Sequence, residues 1–206
     1  WRIATSLERT ADEYGLQTVG FVQQAEIGRD AISAVAMASV VPSLTGTFVE
    51  MCESYLEQTP LVVDAGVKTG VRILYDNPRQ VGADRVADAA AVREMYGGPA
   101  CIVDLGTATT FDVIKNKIYE GGIIAPGINI SHEALVKNAS MLNKILIERT
   151  RSIVGKNTKS SMQSGFYWGY ISLINGIIDK IIIQKKFKPT IILTGGLANI
   201  FKKEIA

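Results

Sequence analysis

Apolar runs and helical stretches alternate along the first half of the chain. Residues 34–41 form a continuous run of small and β-branched side chains that a proline ends, which predicts a strand buried on both faces. A helix through residues 47–56 and an apolar strand at residues 61–63 follow, and this order predicts a βαβ unit. Upstream, residues 6–22 carry a helix start signal with Ser6 as the predicted N-cap.

The second half of the chain begins with a predicted meander of strands. A helix at residues 86–96 is broken by the Gly-Gly-Pro run at residues 97–99, where we place a domain boundary. The sequence therefore predicts two domains, residues 1–98 and residues 99–206. A hairpin turn is expected at Asn116. The predicted strands of the second domain lie at residues 101–104, 110–114, 117–122 and 190–193.

The order of these elements predicts the fold class. A three-strand meander followed by helices and a further strand is the plan of one ribonuclease-H-like half. Two such halves build the actin-like ATPase fold. We therefore expect an α/β protein in which mixed sheets are flanked by helices. A helix predicted at residues 165–180 carries an aromatic cluster and an apolar face, which is typical of a core or dimer-interface helix.

Composition and charge narrow the possible functions. Of the 206 residues, 47% are hydrophobic and 20% are charged, which is enough apolar material for a real core. A net charge of +2 is too weak to indicate a nucleic-acid surface. No window approaches the ~18 consecutive apolar residues of a membrane span. Cys52 and Cys101 lie far apart in apolar surroundings, so we expect buried, reduced thiols and a cytoplasmic protein.

A polar string directly after a predicted strand is the first candidate for chemistry. It runs from Asp104 through Gly106, Thr107 and Thr109 to Thr110. An aspartate at a strand end, followed by glycine and several hydroxyls, makes a tight hairpin whose N–H groups and hydroxyls can cradle phosphate oxygens. The carboxylate can hold a cation. A plain hairpin with exposed threonines is the structural alternative.

A second candidate string runs from Tyr75 to a predicted helix start at residue 86. Gly82 permits close approach of a ligand to the backbone. Asp84 stands at the start of the helix, where its carboxylate is either a cap or a free base. Arg85 beside it can pair with an anionic group of a substrate.

Two other polar residues receive structural interpretations. His132 is the only histidine and follows a serine at a predicted helix start, so we expect it at the surface or behind the site rather than in catalysis. Asp112 lies on a strand after the phosphate-binding string, and we expect its side chain to point to solvent.

Read together, the strings resemble the type III pantothenate kinases. The Gly-Ala-Asp-Arg motif ends at Arg85, and its Tyr-x-Asn-Pro lead-in begins at Tyr75. The matching segments occur in family order, at family-like spacing, across nearly the whole chain. They lie at residues 38–42, 75–85, 104–110, 121–127, 154–165 and 194–196.

The resemblance implies a reaction and the residues around its acceptor. Members of the family phosphorylate pantothenate with ATP, the first step of coenzyme A synthesis. Phosphoryl transfer needs positioning, charge neutralisation and a group that accepts the hydroxyl proton. The resemblance implies that Asp84 is that base. It also implies that Gly82, Ala83 and Arg85 hold the substrate and that Tyr75 walls the pocket.

The resemblance also implies cofactors and an assembly. Asp104 matches the position that binds a monovalent cation, potassium or ammonium, which members need besides Mg²⁺. Thr107, with Gly106, matches a contact to the ATP phosphates, and Gly195 with Gly196 matches the turn that approaches the adenosine. Thr158 matches a substrate contact that the partner subunit supplies, so a homodimer is implied, with no nucleic acid and no membrane as partners.

Two departures and two alternatives complete the expectations. The family opens with an Asp-x-Gly-Asn-Thr phosphate-binding loop and ends with residues on the adenine side, and we expect this sequence to lack both.

Another actin-fold small-molecule kinase, such as a sugar or acetate kinase, is one alternative function. The other is a non-catalytic nucleotide-binding regulator of the transcription accessory factor type, for which Asp84, Asp104 and Thr158 have little use.

Overall fold

The computed structural model describes residues 1–64 and 66–205, which divide into two compact units. The first unit contains residues 1–69 and 76–90, and the second contains residues 70–75 and 91–206. Helices flank mixed sheets, so the expected α/β class is confirmed. The predicted domain boundary between residues 98 and 99 stays a prediction.

The first unit is a βαβ arrangement preceded by a helix, as the alternation predicts. Strands β1 and β2 pair directly in parallel, with Ala36 opposite Leu61, and a helix connects them in the sequence. The crossover helix α2 begins with a proline at its first position, which suits the fixed φ of that residue. The elements are α1 (Ala11–Gln24), β1 (Ala36–Ala38), α2 (Pro42–Leu56), β2 (Leu61–Val63) and α3 (Ala83–Met95), the last of which ends in the second unit.

The predicted N-cap of the first helix is wrong. Thr10 caps α1 through a capping box, because its hydroxyl accepts a hydrogen bond from the Glu13 N–H while the Glu13 carboxylate accepts one from the Thr10 N–H. Ser6 has an arginine three residues later and cannot form this reciprocal pair. Its N–H donates instead to the Tyr14 hydroxyl at 3.0 Å.

The core of the first unit lies between α1 and α2 and not on the strands. Tyr14 of α1 is buried together with Leu44, Met51 and Leu56 of α2. Strand β1 is only three residues long, and its outer two residues are exposed. The prediction of a strand buried on both faces is therefore wrong: the small side chains around it do not build a core in a two-stranded sheet.

A five-stranded mixed sheet organises the second unit. Its order is β3-β6-β5-β4-β7, in which β4, β5 and β6 form the predicted antiparallel meander and β7 pairs in parallel with β4. The turn between β5 and β6 has positive φ at both Asn116 and Lys117, as tight hairpins require. The elements are β3 (Arg72–Ile73), β4 (Ala100–Leu105), β5 (Ala108–Lys115), β6 (Ile118–Pro126), α4 (Ile128–Asn138), α5 (Thr158–Lys185), β7 (Thr190–Thr194) and α6 (Ala198–Phe201).

Helix α5 packs against the apolar face of this sheet. Tyr167, Ile174 and Ile178 of the helix are buried in one cluster with Val103 and Phe111 of the strands. By length and composition alone α5 could also cross a membrane, although sequence analysis finds no run of 18 apolar residues. Such a helix is weak evidence for a span, because the core helix of a soluble protein passes the same test.

Three further residues of the apolar interior bear on the expectations. Cys52 and Cys101 are free and buried, as predicted, and burial together with the charge of Asp112 raises the pKa of Cys101 to about 12. His132, which was expected at the surface or behind the site, is buried. Its Nε2 accepts a hydrogen bond from the Ile145 N–H at 3.2 Å, which gives the imidazole a structural role.

Candidate active site

The turn that opens α3 presents the predicted base in the first unit. The first bond of the helix runs from the Val86 N–H to the Gly82 carbonyl, at 3.1 Å. Asp84 is exposed, and its Oδ1 accepts a hydrogen bond from the Arg85 N–H at 2.8 Å. A Cβ on Gly82 would lie 2.5 Å from that same oxygen. Glycine is therefore needed at residue 82 for the Asp84 carboxylate to take this position.

Gly82 and Ala83 also line a pocket of about 650 Å³ within the first unit. Its wall combines apolar side chains of the βαβ unit with a small number of polar groups, as ligand sites usually do. Asp84 follows directly after this wall. The structure thus places the predicted substrate residues Gly82 and Ala83 on the wall of a cavity large enough for a small metabolite. The next predicted contact, Asp84, is exposed, whereas Arg85 is buried.

Three polar residues of this pocket are not indicated by the sequence. Ser39 and Thr45 line it, and the Thr45 hydroxyl donates to the Ser39 oxygen at 3.0 Å. Asp64 also lines it, and its Oδ1 accepts a hydrogen bond from the Gly66 N–H at 2.6 Å. The segment at residues 38–42 was part of the recognised pattern, so Ser39 could have been found there. Nothing in the local sequence marks Asp64.

In the second unit, the predicted phosphate-binding string forms the β4–β5 hairpin. Asp104 lies near the end of β4, and the pair Leu105–Thr109 closes the ladder. The Gly106 N–H donates to the Ala108 carbonyl at 3.0 Å, which makes the turn tight. A Cβ on Gly106 would lie 3.6 Å from both carboxylate oxygens of Asp104. The hairpin therefore exposes Thr107 while the carboxylate of Asp104 lies beside the turn.

Two glycines from other strands pack directly against this hairpin. Gly127 follows β6, and a Cβ there would overlap the carbonyl of Thr107. Gly195 follows β7 with a φ of +89°, and a Cβ there would overlap Asp104 Oδ1. Because a side chain at either position would occupy this space, the hairpin is enclosed on both sides by backbone alone. Gly196 continues the exposed turn between β7 and α6.

Tyr75 and Thr158 occupy other places in the second unit. Tyr75 comes two residues after β3, and its ring lies 6.4 Å from that of Tyr119, centroid to centroid. Because β3 and β4 are three strand spacings apart, about 14 Å, Tyr75 is not beside Asp104. Thr158 is the first residue of α5 and lines a mostly apolar groove of about 920 Å³ between α4 and α5.

The family of the chain follows from its similarity to known proteins. A family model described as type III pantothenate kinase matches residues 1–180. Curated type III pantothenate kinases from Halalkalibacterium halodurans and Pelobacter propionicus are 44% and 45% identical to the chain. One from Geobacter sulfurreducens is 46% identical. Each alignment covers 99% of this chain and 80–81% of the relative. The chain belongs to the type III pantothenate kinase family.

A weaker similarity links the chain to a solved structure from Campylobacter jejuni, described as a Baf family transcriptional activator. The identity is 18% and the TM-score is 0.49, over 89% of this chain and 87% of that chain. A similarity at this level supports no argument about fold or function.

Because the chain belongs to a kinase family, the two groups of predicted site residues, one in each unit, are parts of an enzyme. The structure brings Gly82, Ala83 and Asp84 together in the first unit. It brings Asp104, Gly106, Thr107 and Gly195 together in the second, through strand ends that are adjacent in the sheet. Asp112, expected in solvent, is instead fully buried, and its carboxylate accepts a hydrogen bond from the Tyr119 hydroxyl at 2.7 Å.

The oxygen-rich β4–β5 hairpin fits a hard cation and phosphate groups. Asp104 supplies a carboxylate, and the adjoining turn supplies carbonyl, hydroxyl and N–H groups. Among residues 1–64 and 66–205, no group of three or more histidine, cysteine or acidic side chains could hold a metal. A cation at Asp104 would therefore take its other ligands from backbone, hydroxyl, water or phosphate oxygens.

Proposed function

We propose that this chain transfers a phosphoryl group from ATP to pantothenate, forming 4′-phosphopantothenate in the first step of coenzyme A biosynthesis. The observation that carries the proposal is its 44–46% identity to curated type III pantothenate kinases over nearly its whole length. The exposed carboxylate of Asp84, directly after a pocket of metabolite size, supports it.

Asp84 acts as the general base. Its free oxygen accepts the proton of the pantothenate hydroxyl as that hydroxyl attacks the γ-phosphorus, and ADP leaves. The Arg85 N–H holds the other oxygen and thereby fixes the orientation of the carboxylate. Gly82 and Ala83 bring backbone close to the substrate, the guanidinium of the buried Arg85 pairs with the substrate carboxylate, and Tyr75 contacts the substrate.

The hairpin and its glycine neighbours bind the nucleotide. Gly106 and Thr107 contact the phosphates of ATP, while Gly195 and Gly196 let the adenosine approach the backbone. Asp104 holds potassium or ammonium. Bound Mg²⁺ neutralises charge on the transferring phosphoryl group.

The assembly follows the family pattern. We propose that the chain folds as two ribonuclease-H-like halves of the actin-like ATPase fold, residues 1–98 and 99–206. We further propose that it acts in the cytoplasm as a homodimer in which Thr158 completes the partner's substrate pocket. The apolar groove beside Thr158 supports this arrangement, because an unpartnered apolar surface favours association. The proposed dimer binds neither nucleic acid nor membrane.

The deciding experiment is a coupled assay of pantothenate phosphorylation with ATP, Mg²⁺ and potassium. It is run on this 206-residue chain and on a version that carries the family's Asp-x-Gly-Asn-Thr hairpin in front of Trp1. Turnover by either version supports the proposal. If neither version turns over while both fold and bind ATP, the proposal fails and a nucleotide-binding regulator is favoured.

The role of Asp104 gives a separate prediction. Replacing potassium with sodium should lower turnover at least about fivefold, because the two ions differ in size and preferred ligand number. Asp104→Asn should reduce this preference by weakening the cation site, whereas Asp30→Asn, in an exposed 3-10 helix of the first unit, should leave it intact. Rates measured in both salts provide the check. Equal rates in potassium and sodium for the unaltered protein would make the Asp104 carboxylate purely structural.

A further inference from the structure

A buried carboxylate in the second unit lies behind the predicted substrate contact Tyr75. Asp112 of β5 is 0% exposed, although the adjacent positions on its strand are hydrophobic. The Tyr119 hydroxyl donates to its Oδ1 at 2.7 Å, and the Thr110 hydroxyl lies 3.4 Å from Oδ2. Burying a carboxylate is costly unless hydrogen bonds compensate for the lost water. An apolar residue at this position would be buried at a lower cost in free energy. The hydrogen-bonded pair of Asp112 and Tyr119 therefore suggests a role beyond packing.

Tyr119 connects this carboxylate to the Tyr75 segment in two ways. Its ring lies 6.4 Å from the Tyr75 ring with a tilt of 50°, within the range of favourable aromatic pairs. Its carbonyl accepts a hydrogen bond from the Leu74 N–H at 2.9 Å, at the residue directly before Tyr75. Tyr119 itself is 0% exposed.

The strand that carries Tyr75 offers little support of its own. Strand β3 consists of two residues at the edge of the sheet, and it pairs only with β6. Its pairing ends with Ile73 opposite Tyr119. A side chain two residues beyond so short a strand needs a rigid neighbour to keep one orientation. Tyr119 is that neighbour, and its hydroxyl is fixed by Asp112.

We propose that Tyr119 and Asp112 are positioning residues that hold the Tyr75 ring in the orientation that binds the pantothenate-class substrate. This inference rests on the proposed function, in which Tyr75 contacts the substrate. Neither residue touches the substrate. The hydrogen bond fixes the Tyr119 ring, and that ring fixes the Tyr75 ring. The pair therefore affects substrate binding more than the chemical step.

The test variant is Tyr119→Phe, which keeps the ring and removes only the hydroxyl. Both residues take part in further interactions, and replacing Asp112 would in addition remove a buried charge. Tyr119→Phe should raise the KM for pantothenate about fivefold, because a Tyr75 ring that is held less firmly binds the substrate less well, while kcat and the KM for ATP stay within about twofold. Steady-state kinetics measures all three.

A matched control separates positioning from stability. Tyr14 is 1% exposed, and its hydroxyl donates to the Ser6 carbonyl at 2.9 Å in the first unit. Tyr14→Phe removes a hydrogen-bonded hydroxyl of comparable burial and should lower the Tm without changing the KM for pantothenate. If Tyr119→Phe behaves like Tyr14→Phe, the pair is structural and the inference is overturned.

The double variant distinguishes this inference from the proposed function. Tyr75→Ala should raise the KM for pantothenate, and adding Tyr119→Phe should raise it no further, because both changes remove the same contact. Additive effects would overturn the positioning role. A raised KM in Tyr75→Ala alone, with Tyr119→Phe at the wild-type value, overturns the inference while the proposed function stands. If Tyr75→Ala leaves the KM unchanged, the substrate role of Tyr75 fails and the inference fails with it.

Discussion

Asp84→Asn should lower kcat for pantothenate phosphorylation by about 100-fold or more, the usual cost of losing a positioned general base. Asparagine retains a side-chain oxygen that can accept the hydrogen bond from the Arg85 N–H, which Asp84 accepts at 2.8 Å. The start of α3 and the adjoining pocket should therefore survive the change. What is lost is the basic oxygen that takes the proton of the substrate hydroxyl.

Binding and turnover must be measured separately on this variant. Calorimetric titration should give a Kd for pantothenate within about threefold of the unaltered value, while the coupled assay reports the loss of kcat. Asp30→Asn is the matched control, since it removes an exposed carboxylate of the same unit that does not line the pocket. A kcat within tenfold of normal in Asp84→Asn would exclude Asp84 as the base.

The regular parts of the fold follow from local sequence patterns. The β1–α2–β2 unit and the β4–β5–β6 meander are predicted by apolar runs of strand length separated by glycine, proline and asparagine. Element ends are predicted less well, because they depend on partners. Strand β6 extends to Pro126, beyond its predicted end at residue 122, since Ala108 of β5 continues to pair with it.

Buried polar residues are the part that periodicity does not predict. A charged residue at position 112 of β5 suggests a side chain that faces solvent. In the folded protein the Tyr119 hydroxyl, from the next strand, donates a hydrogen bond that helps to compensate for the burial of this carboxylate. His132 is buried for a similar reason, because a backbone N–H thirteen residues away donates to its ring. A pattern within one strand or helix carries no information about such distant partners.

In the candidate site, too, some residues are indicated by local sequence and others depend on the folded structure. The sequence alone indicates Asp84, Asp104 and Thr107, because each lies in a short motif whose residue types point to its chemistry. Asp64 lines the pocket only because β2 lies beside β1 in the folded unit. The close packing of Gly127 against Thr107 likewise depends on the pairing of β5 with β6 and not on neighbouring sequence.

That packing makes Gly127→Ala the second change with a large expected effect. Gly127 has φ −72° and ψ 153°, a conformation that alanine adopts freely, so backbone strain plays no part. The new Cβ would instead overlap the carbonyl of Thr107. A backbone atom cannot rotate away as a side chain can, and overpacking of this kind costs about 1–3 kcal/mol. Relief requires the β4–β5 hairpin to shift.

The shift should appear in nucleotide binding before it appears in anything else. We expect the KM for ATP to rise at least about tenfold in Gly127→Ala, together with a lower Tm, since Thr107 moves with its carbonyl. Gly176→Ala on α5 is the control: apart from the backbone of its own helix turn, nothing lies within 4 Å of a Cβ there, and alanine favours the helix. Thermal unfolding and ATP kinetics on both variants separate the two effects. A destabilised Gly127→Ala protein that keeps its normal KM for ATP would mean that the hairpin supports the fold and does not bind the phosphates.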